Sequence, residues 1–459
     1  MRFTILLCTF LLSIINSYGQ KNKLYHLSKK ENDTNKTNVL PEVNISGSIL
    51  KRLKISKNGL EEMNIPQSMC LINTNQIQQQ QITNITDILK NVPGMYIMGN
   101  TGGYQEEIAS RGYNISSTNT FKNGIRFFNG MKIEMSGIEK IEILKGNTAI
   151  DYGNVTPGGL LNIITKKPNF KKGNTIQISY ASFEQIKPQI DIWGTLHKKI
   201  AYRINGSYQQ VNSFRNYVNS NTYYLNPSLL FNLNKKSSIL LEGDYTQYIT
   251  VPDFGAGIIN YQIVQVPISR FTGVSWGKYI AYQSFIAAKY NYLINKKWSI
   301  TALIGIRNYN TSLFSNTRPN SAGGIIDNGG NWNRSLQKST IADNYNIKQI
   351  DANTDFNIGS INNKMLIGAD FEQFTTNTPN YINYTNYDKL NIFNDYIASN
   401  EPRIPYMTKN TLTTNYVDRM GIYLQDLISL KKYIKFFVGL RYNYIKSTTN
   451  VYTYSTASN

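Results

Sequence analysis

The sequence predicts a transmembrane antiparallel β-barrel, partial at about eleven strands, preceded by an N-terminal α+β domain. From Asn174 onward, apolar and polar residues alternate with a two-residue period over segments of ten or more residues. That is the length a tilted strand needs to cross a bilayer, whereas strands of soluble proteins usually run about 5–6 residues. The connections between segments alternate between short and long, as a meander with tight turns on one rim and long loops on the other requires. Composition agrees: the 459 residues include 33 tyrosines, 12% are aromatic, and only 17% are charged.

The first nineteen residues stand apart. Arg2 precedes an apolar run from Phe3 to Ile15, and Ser17-Tyr18-Gly19 gives a small-x-small cleavage pattern, so residues 1–19 read as a secretory signal peptide. The run is too short for a membrane span. Cys8 lies inside it, which leaves Cys70 as the one cysteine of an exported chain. His26 and His197 are the only histidines. Disulfide frameworks, zinc ribbons and Cys–His nucleophile pairs are therefore disfavoured, and no nucleophile elbow is present, so an enzyme is not expected. The net charge of +20 is scattered in pairs such as Lys198-Lys199, Lys235-Lys236, Lys296-Lys297 and Lys431-Lys432. Short turns hold them rather than one stripe, and no nucleic-acid partner is expected.

Residues 20–47 form a polar leader ending in Val39–Gly47. Pro41 disfavours helix there, and Val43 and Ile45 alternate with polar neighbours, which suits an extended strand. Such a strand can add to a partner's sheet; the pattern fits a first strand of the next domain equally well. Residues 48–168 read as the α+β domain. Ile85, Ile88, Leu89 and Val92 share a helical face that ends at Pro93-Gly94. Short strands follow at 106–110, 124–128 and 138–144. The run Gly99-Asn100-Thr101-Gly102-Gly103 lacks the Lys-Ser/Thr pair and helix of a phosphate cradle and reads as turn chemistry.

Residues 169–459 carry the barrel pattern. Ile200, Tyr202, Ile204 and Tyr208 oppose Arg203, Asn205, Ser207 and Gln209, and Ile434, Phe436, Val438, Leu440, Tyr442 and Tyr444 oppose Lys435, Gly439, Arg441 and Asn443. Short breaks near 197–199, 234–237, 295–297, 359–363 and 430–433 alternate with breaks near 212–222, 249–283, 311–343 and 376–414. The strands are expected near 174–183, 188–196, 200–211, 223–233, 238–248, 284–294, 298–310, 344–358, 364–374, 415–429 and 434–446.

Several runs then carry a resemblance. Ile108-Ala109-Ser110-Arg111-Gly112-Tyr113, Lys122-Asn123-Gly124-Ile125-Arg126, Ile138 through Lys145-Gly146, Tyr152-Gly153, Pro157-Gly158-Gly159 and Thr165-Lys166-Lys167-Pro168 resemble the plug motifs of TonB-dependent outer-membrane receptors of the ferric-siderophore kind. Residues 40–446 are similar to the plug and first half of the barrel of that family. The segment around Leu40, Glu42, Val43 and Ile45 resembles its TonB box.

The resemblance implies a ligand-gated importer in the outer membrane of a Gram-negative bacterium, embedded in outer-membrane lipid. TonB, with its inner-membrane energising complex, would pull on the plug. Iron would arrive as a ferric siderophore, already chelated, so no resident cofactor and no metal-ligating residues are implied. Plug apices at 99–104, 114–118 and near Phe127-Phe128 would face the ligand, with Tyr104, Phe128, Trp276, Trp332 and Arg334 as contacts. Further loop candidates are Phe254, Tyr261, Phe271 and Arg318. Plug charges Arg111, Glu139, Glu142 and Lys145 are expected to form partly hydrated pairs with lumen-facing Glu242, Asp244, Asp370, Glu372, Arg307 or Arg441. Related receptors for haem, cobalamin or a glycan, and a non-transporting surface β-protein, remain alternatives. Family barrels have twenty-two strands, and bacterial single-chain barrels are even-stranded, so eleven strands and the polar tail Ser447–Asn459 lead us to expect a truncated chain.

Overall fold

The computed structural model describes residues 67–454, apart from 129, 147, 322–323, 395–403 and 432–433. The expected signal segment and leader, with Leu40, Glu42, Val43 and Ile45, lie outside the described residues.

The plug begins with β1 (Ser68–Asn73), α1 (Thr74–Gln79) and a 3-10 helix over Ile85–Asn91. Asn73 and Gln76 form a reciprocal capping box that satisfies backbone donors at the start of α1. The helix expected after Asn84 is therefore present, wound more tightly, with Ile85 and Ile88 buried. Next come β2 (Met95–Thr101), β3 (Gln105–Ser110), β4 (Tyr113–Asn114), β5 (Thr120–Lys122), β6 (Ile125–Arg126), β7 (Ile138–Lys145), α2 (Ala149–Tyr152) and β8 (Leu160–Thr165). One sheet has the order β1-β7-β8-β5-β6, with β5 parallel to β8; β2, β3 and β4 form a second. Ile72, Ile77, Ile88, Ile108, Ile141 and Ile163 belong to the core around them. The strand expected at 124–128 shrinks to two residues, because Asn123 (φ 53°) and Gly124 (φ 82°) make the tight hairpin turn into β6.

The wall comprises β9 (Gly173–Ala181), β10 (Gln185–His197), β11 (Ile200–Asn212), β12 (Asn219–Asn232), β13 (Ser237–Thr250), a loop hairpin of β14 (Ile258–Ile259) and β15 (Gln262–Ile263), then β16 (Lys278–Leu293), β17 (Trp298–Asn316), β18 (Asn331–Ile358), β19 (Ile361–Tyr381), the side strand β20 (Tyr384–Asn391), β21 (Lys409–Leu430) and β22 (Ile434–Thr453). Eleven of these pair in chain order from β9 to β22, each antiparallel to its neighbour, and β20 lies beside the extension of β18. All eleven expected strands are present. Several run further toward the long-loop rim: β18 starts at Asn331 rather than 344, and β19 continues to Tyr381 rather than 374. Among the described residues, β9 and β22 each have one neighbour in the sheet.

Burial in this sheet is inverted relative to a soluble protein. Ile176, Ile178, Ile286, Ile304, Ile306 and Leu440 are more than half exposed on the outer face, while Asn205, Gln283, Arg307, Asp343 and Gln425 are buried on the inner one. An apolar exterior around a polar interior suits a lipid solvent outside and a plugged aqueous lumen inside. Among the described residues no helix is long and apolar enough to cross a membrane.

Candidate functional site

The plug is fastened to the inner wall by buried ion pairs. Lys122 lies 2.5 Å from Asp244 of β13, and Arg126 Nε donates to both oxygens of Glu372 on β19 at 3.0 and 3.2 Å. Lys166 pairs with Asp191 at 3.0 Å, Lys167 with Glu242, and Glu134 with Lys187 of β10 at 2.6 Å. Burial alone would raise the Glu134 carboxyl; the ammonium of Lys187 and bonds from Ser136 outweigh it and hold the group below its usual range. Arg126 also donates to the carbonyls of Thr118 and Tyr152, so one guanidinium ties two other plug segments to the wall.

These contacts correct the expected pairing. Asp244, Glu242 and Glu372 do receive plug cations, but from Lys122, Lys167 and Arg126. Arg111 and Glu139 are exposed. Glu142 pairs with Lys140 at 2.8 Å and accepts from Asn162, and Lys145 donates to the Pro93 carbonyl, all inside the plug. Asp370 pairs with Arg441 at 2.6 Å, and Arg307 with Asp343, within the wall. Two of the fastenings are also drier than expected: Lys122 and Arg126 keep 4% and 2% of their side-chain surface, whereas Lys166 and Lys167 keep 13% and 20%. Around Lys122 and Arg126 the plug meets the wall closely enough to bury both cations.

The motif glycines explain how the plug closes on itself. Gly159 has φ +114°, and a Cβ there would sit 2.4 Å from the Leu144 carbonyl oxygen; at Gly158 it would sit 2.8 Å from that of Ser110. Arg111 and Gly112, both at positive φ, turn the chain from β3 into β4. Gly146 and Gly153 also sit at positive φ, flanking α2. The Tyr152 ring packs on Phe121 with centroids 4.6 Å apart, and its hydroxyl accepts from Asn162 at 3.4 Å.

A cavity of about 1030 Å³ opens at the rim of the long connections. Its floor is the plug turn Gly99–Gly103, and its sides come from Phe183, Phe214, Tyr248, Phe254 and Arg318 among others. Gly102 (φ +57°) has no room for a side chain, since a Cβ would meet the Tyr104 ring at 2.4 Å. The Asp253 N–H donates to the Gly102 carbonyl at 3.1 Å and pins the apex to the wall's loop. The first expected apex therefore lies at the cavity, together with loop candidates Phe254 and Arg318.

The five expected ligand contacts are not gathered there. Tyr104 is buried one layer below, stacked on Tyr279 with centroids 3.8 Å apart; burial pushes its phenol up to about 12, against the pull of Arg318. Phe128 stacks on Tyr309 at 4.1 Å. Trp276 packs edge-on against Phe314 and Tyr387. Trp332 is wholly buried with Leu390, Ile392, Val264 and Ile326 in a loop core. Arg334 is committed to Asp388 and to the carbonyls of Thr272 and Gly273. In this conformation these side chains shape loops rather than line the opening. The missed lining aromatics, Phe183 and Phe214, sit in the connections after β9 and β11; their closeness to strand ends on that rim was the available signal. Tyr104→Ala removes the stack that supports the apex, so ligand affinity is expected to fall roughly ten- to hundred-fold in a direct titration, with the amount of membrane protein unchanged.

Residues 61–160 match the TonB-dependent receptor plug domain family. The chain is similar to the metal-pseudopaline receptor CntO of Pseudomonas aeruginosa, with 23% identity over 316 residues that make up 68% of this chain and 44% of that protein. It is also similar to the ferrioxamine B receptor of Salmonella typhimurium, with 23% identity over 412 residues, 85% of this chain and 56% of that one. Among solved structures, the siderophore receptor PiuA of Acinetobacter baumannii superposes with a TM-score of 0.78 at 18% identity, covering 88% of this chain and 61% of its own. The chain spans about half the length of the curated relatives it matches. The fold is that of TonB-dependent plugged barrels, and these relatives are receptors rather than enzymes.

Proposed function

We propose that this chain, which resembles TonB-dependent receptors in both plug and wall, serves ligand-gated import of ferric siderophores across the outer membrane. One observation carries the reading: the cavity is built jointly from the plug apex Gly99–Gly103 and from the wall's long connections. A ligand seated there touches both bodies at once, so its binding free energy can favour one plug position over another. Iron is cargo within the chelate. The chain's own work is to bind it, hold the plug closed through Lys122, Arg126, Glu134, Lys166 and Lys167, and transmit the occupied state inward.

The strand around Leu40, Glu42, Val43 and Ile45 would pair with TonB, and the inner-membrane complex would supply the pull. Val43→Pro removes one backbone donor from that added strand. In an intact version of this receptor, cells carrying the variant are expected to bind radiolabelled ferric siderophore at wild-type affinity while uptake is abolished. Unchanged uptake would overturn the TonB assignment. Growth of a deletion strain on single ferric siderophores, haem or cobalamin separates the siderophore reading from its nearest alternatives.

A further inference from the structure

The lysine pairs scattered along the sequence come together in the fold. Short and long connections alternate between antiparallel neighbours, so every short turn leaves the sheet at the same rim. Four of the five short turns carry adjacent lysines, the fifth being Gly359-Ser360. Three such turns are consecutive: Lys198-Lys199 after β10, Lys235-Lys236 after β12 and Lys296-Lys297 after β16, all six lysines exposed. Lys199 Nζ donates to the Leu233 carbonyl at 3.2 Å and Lys236 Nζ to that of Ile294 at 3.4 Å, so each turn reaches the next. Among the described residues no carboxylate pairs with any of the six, whereas at the opposite rim Arg215 pairs with Asp253 at 2.8 Å and Arg334 with Asp388.

We propose that this lysine arc is a docking surface for anionic phospholipid headgroups in the leaflet that meets the short-turn rim. Position decides the occupant. Leu196, Leu233 and Ile294, the last outward-facing residues before the three turns, are 64%, 44% and 39% exposed, so the lipid-facing apolar surface runs up to the lysines. Ammonium groups on flexible stems directly beyond an apolar band lie at headgroup depth. Successive turns are two strands apart, about 10 Å, comparable with the Debye length of about 8 Å at physiological ionic strength, so their fields overlap. Cations without carboxylate partners favour a lipid of net negative charge over a zwitterion that carries the same phosphate. The inference depends on the wall facing lipid and not on the cargo.

The test reconstitutes the full chain in phosphatidylcholine vesicles doped with spin-labelled phosphatidylglycerol or spin-labelled phosphatidylcholine, and reads the motionally restricted fraction of each label. Phosphatidylglycerol is expected to associate roughly five-fold or more strongly. Glutamine at all six lysines should remove the preference, and arginine at all six should keep it. Lys278→Gln with Lys389→Gln, at exposed lysines of the long-loop rim, should leave it unchanged. Salt at about 1 M, where the Debye length is about 3 Å, should collapse the preference in the wild-type chain, an arm that needs no variant to fold. Equal association of the two lipids, a preference that survives glutamine at all six positions, or one lost equally in the long-rim control would overturn the proposal. So would binding of soluble polyglutamate with no preference between the lipids, which would assign the rim to an acidic protein.

Discussion

Arg126→Ala is expected to loosen the plug by about 3–5 kcal/mol, the usual cost of removing one partner from a buried ion pair. The loss comes less from the missing attraction than from Glu372, left buried without it. Tyr345 keeps its 2.8 Å hydrogen bond to that carboxylate, and Arg419 stands 3.8 Å away, so the lower end of the range is the better expectation. The measurement is chymotryptic cleavage after Phe127 and Phe128 as a function of urea. Wild type should resist to a higher urea concentration than Arg126→Ala, and Arg111→Ala, on an exposed turn, should match wild type. Identical urea profiles for all three would mean that the Arg126–Glu372 pair does not hold the plug.

Gly159→Val should be more damaging still. The backbone there has φ +114°, and the first side-chain carbon would enter the space of the Leu144 carbonyl, a backbone atom that cannot swing aside. Left-handed strain and overpacking together cost about 3 kcal/mol or more. β8 would then separate from β7, exposing β1 beyond it. Cys70 reports on this directly. Its thiol is half-buried, donates to the Asn91 carbonyl at 3.5 Å, and has its pKa raised by burial, against the opposing effect of Lys145. Since the thiolate is the reactive form, the native plug labels slowly. Rapid maleimide labelling of Gly159→Val without denaturant is the expected result, with Gly112→Ala, which meets left-handed strain at φ +83° but no atom within 4 Å, labelling more slowly than Gly159→Val.

Much of the wall was legible because lipid imposes a two-residue period on every strand that faces it. That period located all eleven strands, from Ile176 to Tyr444. It faded where β18 and β19 rise toward the long-loop rim, since Asn331–Thr340 answer to other loops rather than to lipid. The plug's helix was legible from helical spacing, and its glycine motifs from their resemblance to those of the receptor family. The plug–wall pairing was not. Lys122 finds Asp244, and Arg126 finds Glu372, across more than a hundred residues, and nothing in a one-dimensional pattern says which plug face meets which strand. A hint was present: two cations sit in a hairpin whose strands are otherwise Thr120, Phe121 and Ile125, an expensive place for charge without partners. The cavity was half legible for the same reason. Gly99–Gly103, Phe254 and Arg318 lie in segments whose rim could be assigned, whereas the burial of Trp332 and Arg334 depends on how three loops pack together.

The order β1-β7-β8-β5-β6 has a mechanical consequence. Among the described residues the first plug strand, β1, has a single neighbour, so under the proposed energy coupling a tension arriving from the leader would load the β1–β7 ladder first, six residue pairs from Ser68↔Lys145 to Asn73↔Lys140. Lys122 and Arg126 sit on β5 and β6, at the far edge of the same sheet. The single-neighbour edge and these buried anchors are thus separated by the width of the sheet. Under that proposal a pull would draw β1 away while β7, β8, β5 and β6 stay tethered to the wall, so that work done on the plug would go into peeling one edge before any buried charge is stripped of its partner.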